Sequence, residues 1–423
     1  MGKSKEIIMC AHHTTHKFHW VLQPVVLYSL MILLGILCGV ADGSWGQQLG
    51  LLMAEIFIKV FKCISLPIIA LSLIVTLASY TAESRMQQVW RRTLMYTLGT
   101  TIIAAAVGCV LYLLISPRNV QMVQATVPVA MDIPAVSYKQ HLLNLIPSNI
   151  FSPFLEHQVL GVLLVGIVIG LAIRSLPDEA VRRATMQFFQ GAHGIFLTIT
   201  LWIVRLIPLG LFGFITSTIV QLREGADVSG LGQYLLVVVL ANLVQGFIVL
   251  PLWLKSRGIP PFATMRKMLP ALSMAFFSKS SAGTLPVTMA TAEKNLGLPE
   301  RISKFVLPLC TSINMNGCAA FIFITVIYLM QNHGVVIEWD TMVAWVFIAT
   351  IAAVGNAGVP MGCFFLSTSL LASMNVPIAL MGMILPFYSI IDMVETSLNV
   401  WSDVCVATVV HDDDIGSARK VQN

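Results

Sequence analysis

Asp392-Met-Val-Glu395-Thr396-Ser-Leu-Asn399-Val-Trp-Ser-Asp403 runs through the middle of an apolar stretch that extends from about Ile378 to Val410. Its polar residues stand at i, i+3, i+4, i+7 and i+11, and on a helix of 3.6 residues per turn those positions share one face. Holding a carboxylate at mid-membrane costs roughly 2.5–3.5 kcal/mol on insertion scales. Three carboxylates and an amide on one stripe therefore ask for a reason beyond packing. A buried polar network joining helices is one reason. A site for a cation, a protonated amine, or both is the sharper one.

The rest of the chain supplies the membrane. Of its 423 residues 57% are hydrophobic and 11% charged, and the mean hydropathy is +0.84. That composition excludes an ordinary soluble domain and predicts an all-α polytopic membrane protein with room for roughly eight spans and shorter re-entrant pieces. The net charge of +5 carries no nucleic-acid signature, because the basic residues sit between the apolar runs. The eight cysteines are scattered without a CxxC, so free thiols are expected. The first apolar run is too long for a signal peptide, and no cleavage site follows it.

In chain order, Lys3, Lys5 and Lys17 mark a cytoplasmic tail over residues 1–20. Its Cys10, His12, His13, His16 and His19 match no closed metal site, and the tail reads as solvated or interfacial. Apolar runs follow at about Val21–Val40, Leu49–Tyr80, Met95–Ile115, Val159–Ile173, Phe188–Val220 and Tyr234–Leu254. Glu55 and Lys59 are spaced to pair, Lys62 to snorkel, and Thr97, Thr100 and Thr101 to bond back to their own helix. A Pro-containing excursion separates the third and fourth runs. Under this topology eighteen Lys/Arg fall on the cytoplasmic side and three outside, which orients the chain with both termini in the cytoplasm of a cell (inner) membrane.

Beyond residue 255 the pattern changes. An apolar segment from Met268 to Ala290 is broken by Ser278-Lys-Ser-Ser-Ala-Gly-Thr-Leu-Pro286. A second, from Met342 to Ala372, is broken by Asn356-Ala-Gly-Val-Pro-Met-Gly362. Each is followed by a full apolar run, the first interrupted by Asn314-Met-Asn-Gly317 and the second being the acidic helix. Kinked packing helices would give such breaks. So would paired half-helices at a transporter's binding site, where loose carbonyls hold cations and half-helix N-termini hold anions. The expected division is a tail at 1–20, six helices over 21–254, a core at 255–411 and a second tail at 412–423.

Taken together, Ser-Ser-Ala-Gly-Thr-Leu-Pro-Val-Thr (280–288), Arg-Ile-Ser-Lys-Phe-Val-Leu-Pro-Leu (301–309), Asn-Met-Asn-Gly (314–317), Ala-Gly-Val-Pro (357–360) and Asp-Met-x-x-Thr-x-x-Asn-Val (392–400) resemble the dicarboxylate/amino acid:cation symporter family, as does Ile-Pro-Ser-Asn-Ile-Phe (146–151). The family includes the glutamate transporters and the neutral amino acid exchangers, and the likeness covers nearly the whole chain. It implies eight membrane-spanning helices plus two re-entrant hairpins in inverted repeats, a homotrimer, and an elevator-like transport domain. It also implies that Asp392 holds the substrate's α-ammonium and Asn399 its α-carboxylate, helped by Ser280 and main chain around Ser281 and Val359, with Thr396 lining the pocket. One sodium site would use Asp403, Asn399 and carbonyls near Cys310 and Asn314. Another would use carbonyls near Ser312, Met315, Ala353, Val354 and Asn356. Oxygen donors of this kind suit hard cations.

Departures from the family pattern shape the expected function. Glutamate transporters have an Arg where this chain has Glu395, and a Thr where it has Cys318. A carboxylate in place of Arg repels an acidic side chain. Lys279, at the first tip, could neutralise Glu395 or turn to an acidic substrate. The third cation site keeps Thr100, Thr101 and Asn314, but has Asn316 for an Asp and Thr97 for a Tyr, which predicts fewer coupled sodium ions or obligate exchange. The expectation is sodium- or proton-coupled symport of a neutral polar amino acid. Acidic amino acid or C4-dicarboxylate symport through Lys279, cationic amino acid transport, and exchange stand as alternatives. A channel and a non-transporting solute sensor are the rivals from other classes. No organic cofactor is expected; the partners expected are a small-molecule solute, the bilayer and two further copies of the chain. An intramembrane enzyme is disfavoured: Gly-x-Ser-x-Gly is absent, and Asp392 and Asp403 stand about 16 Å apart on one helix.

Overall fold

The protein is described here by a computed structural model covering residues 24–41, 43–78, 87–120, 147, 149–155, 159–223, 229–356, 358, 361–374 and 376–422. The histidine-containing tail, Arg85, most of the excursion after the third run and Val359 lie outside the described residues.

Every regular element is helical. In order they are α1 (Pro24–Val40), α2 (Trp45–Ala78), α3 (Gln87–Ile115), α4 (Ser152–Leu155), α5 (Val159–Arg174), α6 (Glu179–Arg223), α7 (Ser229–Val244), α8 (Leu250–Ser256), α9 (Pro261–Ser278), α10 (Ser281–Thr291), α11 (Glu300–Ile313), α12 (Asn316–Asn332), α13 (Trp339–Val354), α14 (Gly362–Ser373) and α15 (Ala379–Gln422). A π-helical turn, Gln245–Val249, joins α7 to α8. Among the described residues three helical stretches are long and apolar enough to cross a bilayer: Gln88–Ile115, Ser229–Ser256 and Glu300–Asn332. A fourth is added if Glu179–Ile203 and Arg205–Val220, bent by 49°, count as one span. Pro208 accounts for the bend, since it has no N–H to donate to the carbonyl of residue 204. Shorter apolar stretches among the described residues are Ser29–Val40, Leu66–Ala78, Gly161–Arg174, Trp339–Val354 and Gly362–Ser373, the second lying within the continuous α2.

The core is organised around α12, which is buried without a gap from Asn316 to Met330. A helix apolar all round has to be enclosed by others, and α3, α7, α13, α14 and α15 pack against it. Helices α1, α2, α5 and α6 form a second packed group. Leu33, Leu37, Trp202, Leu236 and Phe247 stay exposed on the outside, as lipid-facing side chains do. The chain is an integral membrane protein.

Both expected breaks interrupt the helices, between α9 and α10 and between α13 and α14. Helix α9 ends at Lys279 in the left-handed region (φ 55°), and Ser280 caps α10 by accepting a hydrogen bond from the Gly283 N–H at 3.0 Å. The second break ends at Met361, also left-handed (φ 64°), before α14 begins. Left-handed backbone costs a side-chain-bearing residue roughly 1–2 kcal/mol, so both turns are held by their surroundings. The tips touch: Ser280 Oγ donates to the Gly358 carbonyl at 3.2 Å. Gly358 has φ +65°, and a Cβ there would stand 3.1–3.2 Å from Thr311 O, Ala282 N and Ser281 Cβ.

The expectation of eight free thiols fails for one pair. Cys318 and Cys363 are joined across 45 residues, with Cα atoms 5.5 Å apart, whereas Cys38, Cys63, Cys109, Cys310 and Cys405 are free. Sequence spacing does not reveal the pair because its members lie on different helices, α12 and α14.

Gly317 is the tightest joint between α12 and α15. A Cβ on it would meet Glu395 Cα at 2.8 Å and Asn242 Oδ1 at 2.9 Å. Gly317→Ala forces two backbones apart, and overpacking of this kind costs about 1–3 kcal/mol. A lower melting temperature of the purified variant, followed by intrinsic fluorescence in detergent, is the expected result.

Candidate functional site

The acidic stripe lies on α15 and is inside the bundle. Asp392, Glu395, Thr396, Asn399 and Asp403 are all buried, none more than 5% exposed. Donors face the stripe from places where a helix is interrupted, and a further group on α3 and the π turn bonds to the amides of the second interruption.

At the start of the stripe, the Asp392 carboxylate accepts a hydrogen bond from the Met361 N–H at 3.2 Å. The left-handed turn before α14 thus aims a backbone donor at the acid, an arrangement that helix N-termini favour. One turn away, Tyr388 donates its hydroxyl to Glu395 Oε2 at 3.2 Å and is wedged between Phe321 and Phe364. Glu395 Oε1 has no hydrogen-bond partner among the described residues. Lys279 does not neutralise Glu395: its ammonium donates to Ser389 Oγ at 2.6 Å, on the turn of α15 before Asp392.

Deeper in, Asn399 Oδ1 accepts the Gly317 N–H at 2.8 Å, and its amide nitrogen lies 3.4 Å from Cys318 Sγ. Asn399 therefore caps the interrupted start of α12. Asp403 accepts from Asn314 Nδ2 at 3.0 Å and from the Thr311 hydroxyl at 3.3 Å. Asn314 also donates to Ser402 Oγ at 2.8 Å. A buried carboxylate and the break between α11 and α12 are thus held by two amides, Asn314 and Asn399.

The third group carries the unexpected member. Thr100 Oγ1 lies 3.0 Å from Asn314 Oδ1, which also accepts from Asn316 Nδ2 at 2.9 Å. Gln245, in the π turn, donates its amide to Asn316 Oδ1 at 2.7 Å and to the Thr100 carbonyl at 3.2 Å. Thr97 and Thr101 turn back to their own helix, Thr101 onto the Thr97 carbonyl at 2.7 Å. Of the threonines expected here, Thr100 is the one whose hydroxyl reaches another helix among the described residues.

Other expected residues divide the same way. The Cys310 and Met315 carbonyls accept from Asn314 N (2.7 Å) and Ala319 N (2.9 Å), and the Ala353 carbonyl accepts from Asn356 N (3.0 Å). Ser312 Oγ donates to Pro308 O at 3.4 Å. Val354 closes α13 next to Gly355. Asn356 is buried and donates to Cys318 Sγ at 2.9 Å and Cys363 Sγ at 3.5 Å. Ser281 is buried at the first tip.

Tyr388, Ser389, Met361, Cys363 and Gln245 complete the site and were not singled out in the sequence. A signal existed for Gln245: with Asn242 it forms a pair of amides three residues apart inside an apolar run.

Residues 25–412 match the profile of the sodium:dicarboxylate symporter family. The chain belongs to that family. It is therefore a transporter and not an enzyme. The neutral amino acid transporter B(0) of Oryctolagus cuniculus is 27% identical over 425 residues, covering 90% of this chain and 78% of the relative. Excitatory amino acid transporter 2 of Homo sapiens is 26% identical over 415 residues, covering 84% and 72%. Neutral amino acid transporter A of Homo sapiens is 30% identical over 255 residues, covering 60% and 48%.

Removing the Gln245 amide leaves Asn316 Oδ1 and the Thr100 carbonyl each without that donor. An orphaned buried acceptor costs about 1–3 kcal/mol. Gln245→Leu is expected to lower the melting temperature of the purified protein, and Gln245→Glu to lower it further by adding an unpaired buried charge.

Proposed function

We propose that this protein is a cation-coupled amino acid carrier, driven most simply by sodium, that favours a neutral polar substrate. The reading rests on one observation above all: Glu395, which stands where glutamate transporters have an Arg, is buried, hydrogen-bonded by Tyr388 on one oxygen only, and not paired with Lys279. An acidic side chain brought there would meet a like charge. A hydroxyl or amide would give the free oxygen the donor it lacks. Asp392 takes the α-ammonium and Asn399 the α-carboxylate, with Thr396 and the tips at Ser280, Ser281 and Val359 closing around them. Cationic amino acids are the second reading, favoured by the absence of a basic partner on Glu395 among the described residues.

Sodium sites are assigned to Asp403, Asn399 and the carbonyls at Cys310 and Asn314, and to carbonyls at Ser312, Met315, Ala353, Val354 and Asn356. The third site is weak in this reading, because Asn316 offers no charge and Gln245 already donates to it. Fewer coupled ions, or exchange, follow from that. The whole protein is taken to have eight spans and two re-entrant hairpins, with residues 255–411 moving as the carrier core against helices of residues 21–254. It is taken as a homotrimer in the inner membrane, with both termini, 1–20 and 412–423, in the cytoplasm.

Reconstituted in liposomes, the protein is expected to take up labelled neutral amino acids only with an inward sodium gradient, while aspartate and glutamate stay outside. Uptake of acidic amino acids would overturn the substrate reading. Currents without saturable uptake would indicate a channel. Asp392→Asn removes the counter-charge for the ammonium, and losing one side of a buried charge pair costs about 2–5 kcal/mol. A rise in apparent KM of at least about tenfold is the expected readout. Asn316→Asp restores a carboxylate to the third site and is expected to steepen the dependence of uptake on sodium concentration.

A further inference from the structure

Cys318 opens the first turn of α12, Cys363 stands at the start of α14, and Glu395 faces both from α15. One ligand atom from each lies within 4.8 Å of the other two. All three residues are at most 2% exposed. Nothing in the sodium assignments uses this cluster, whose chemistry differs from theirs. Hard cations take oxygen, whereas paired sulfurs select soft or borderline ions such as zinc, cadmium and copper(I).

A second observation points to a ligand. Glu395 Oε1 is buried and has no hydrogen-bond partner among the described residues. Around the sulfurs, two amides donate. Asn356 Nδ2 reaches Cys318 Sγ at 2.9 Å and Cys363 Sγ at 3.5 Å, and Asn399 Nδ2 reaches Cys318 Sγ at 3.4 Å. Donors placed on sulfur stabilise the thiolate form and orient it, the role that outer-shell groups play at metal sites.

In this structure the two sulfurs are joined. We propose that, once a thiol or phosphine reductant has opened that bond by supplying two electrons, with two protons taken up to give two thiols, Cys318, Cys363 and Glu395 bind one thiophilic divalent cation of the zinc class. The charge balance supports this. As the dication enters, each thiol releases its proton and each sulfur gives the metal an electron pair. The buried cluster therefore gains two positive charges and loses two, and its net charge is unchanged. A buried site that gained charge would bear the full desolvation penalty. Three protein ligands leave the fourth position of a tetrahedral ion open. The ion ties the second hairpin's returning helix α14 to α12 and α15, and sits where the side chain of the proposed substrate would end.

The test does not depend on transport. The full chain, purified in detergent, is treated with a phosphine reductant and titrated anaerobically with cadmium. The expected result is one cadmium per chain, an ultraviolet thiolate-to-cadmium charge-transfer band, two protons released, and displacement by zinc. Cys318→Ser and Cys363→Ser are each expected to abolish the band, and Glu395→Gln to weaken binding about tenfold or more. Two controls are expected to retain it: Cys63→Ser, and a variant with Cys10, His12, His13, His16 and His19 all changed to Ser. If a Cys variant fails to fold, the wild-type stoichiometry and proton count decide. Absence of cadmium binding with both thiols alkylatable overturns the proposal. So does a pair that stays bonded after reduction, read by mass, or a band carried by the N-terminal tail.

Discussion

Three carboxylates inside an apolar bundle set the terms for everything around them. Asp392, Glu395 and Asp403 cannot reach water, so the protein has to supply dipoles in its place. A continuous helix has none to spare, because its N–H groups are already engaged in the ladder. Backbone donors become available only where a helix stops, and the Tyr388 and Thr311 hydroxyls add to them from within helices. The breaks at Met361, at Asn314–Gly317 and at Lys279–Ser280 are the points where backbone and side-chain donors turn toward α15. The acids and the interruptions are two sides of one constraint.

That relation explains which parts could be read in the sequence. The stripe on Asp392–Asp403 was legible because helical period and apolar context together put it on one buried face. The two tips were legible because Gly, Pro and Ser cluster inside otherwise unbroken apolar runs. The orientation of Lys279 was not. A side chain with four rotatable bonds at a left-handed turn can reach several acceptors, and Ser389 rather than Glu395 is the one it meets. The Cys318–Cys363 pairing was equally hidden, since it depends on how α14 returns beside α12. The number of membrane crossings was read from apolar length, which does not show where a proline such as Pro208 bends a run.

Family membership and the local chemistry agree on a carrier but divide on its substrate. Relatives named for neutral and for excitatory amino acids are similar to this chain to nearly the same degree, so overall similarity cannot choose between them. In the proposed reading Glu395, Tyr388 and Cys318 do, as the wall assigned to the substrate's side chain. A single change of sign in that wall outweighs hundreds of positions that merely build the bundle.

The π turn at Gln245–Val249 has a consequence for how this helix accommodates sequence change. Such a turn carries one more residue than an α-turn and arises where a helix absorbs a single extra position. Here it lets two requirements with different phases coexist: Gln245 faces Asn316 while Leu250 and Leu254 stay fully enclosed further along. Deleting one residue between 245 and 249 would give a more regular helix and a worse protein. It would rotate one end by about 100° relative to the other, so that either the amide or the leucines would swing toward lipid. The irregularity works as a vernier, setting the phase of the polar end independently of the apolar one.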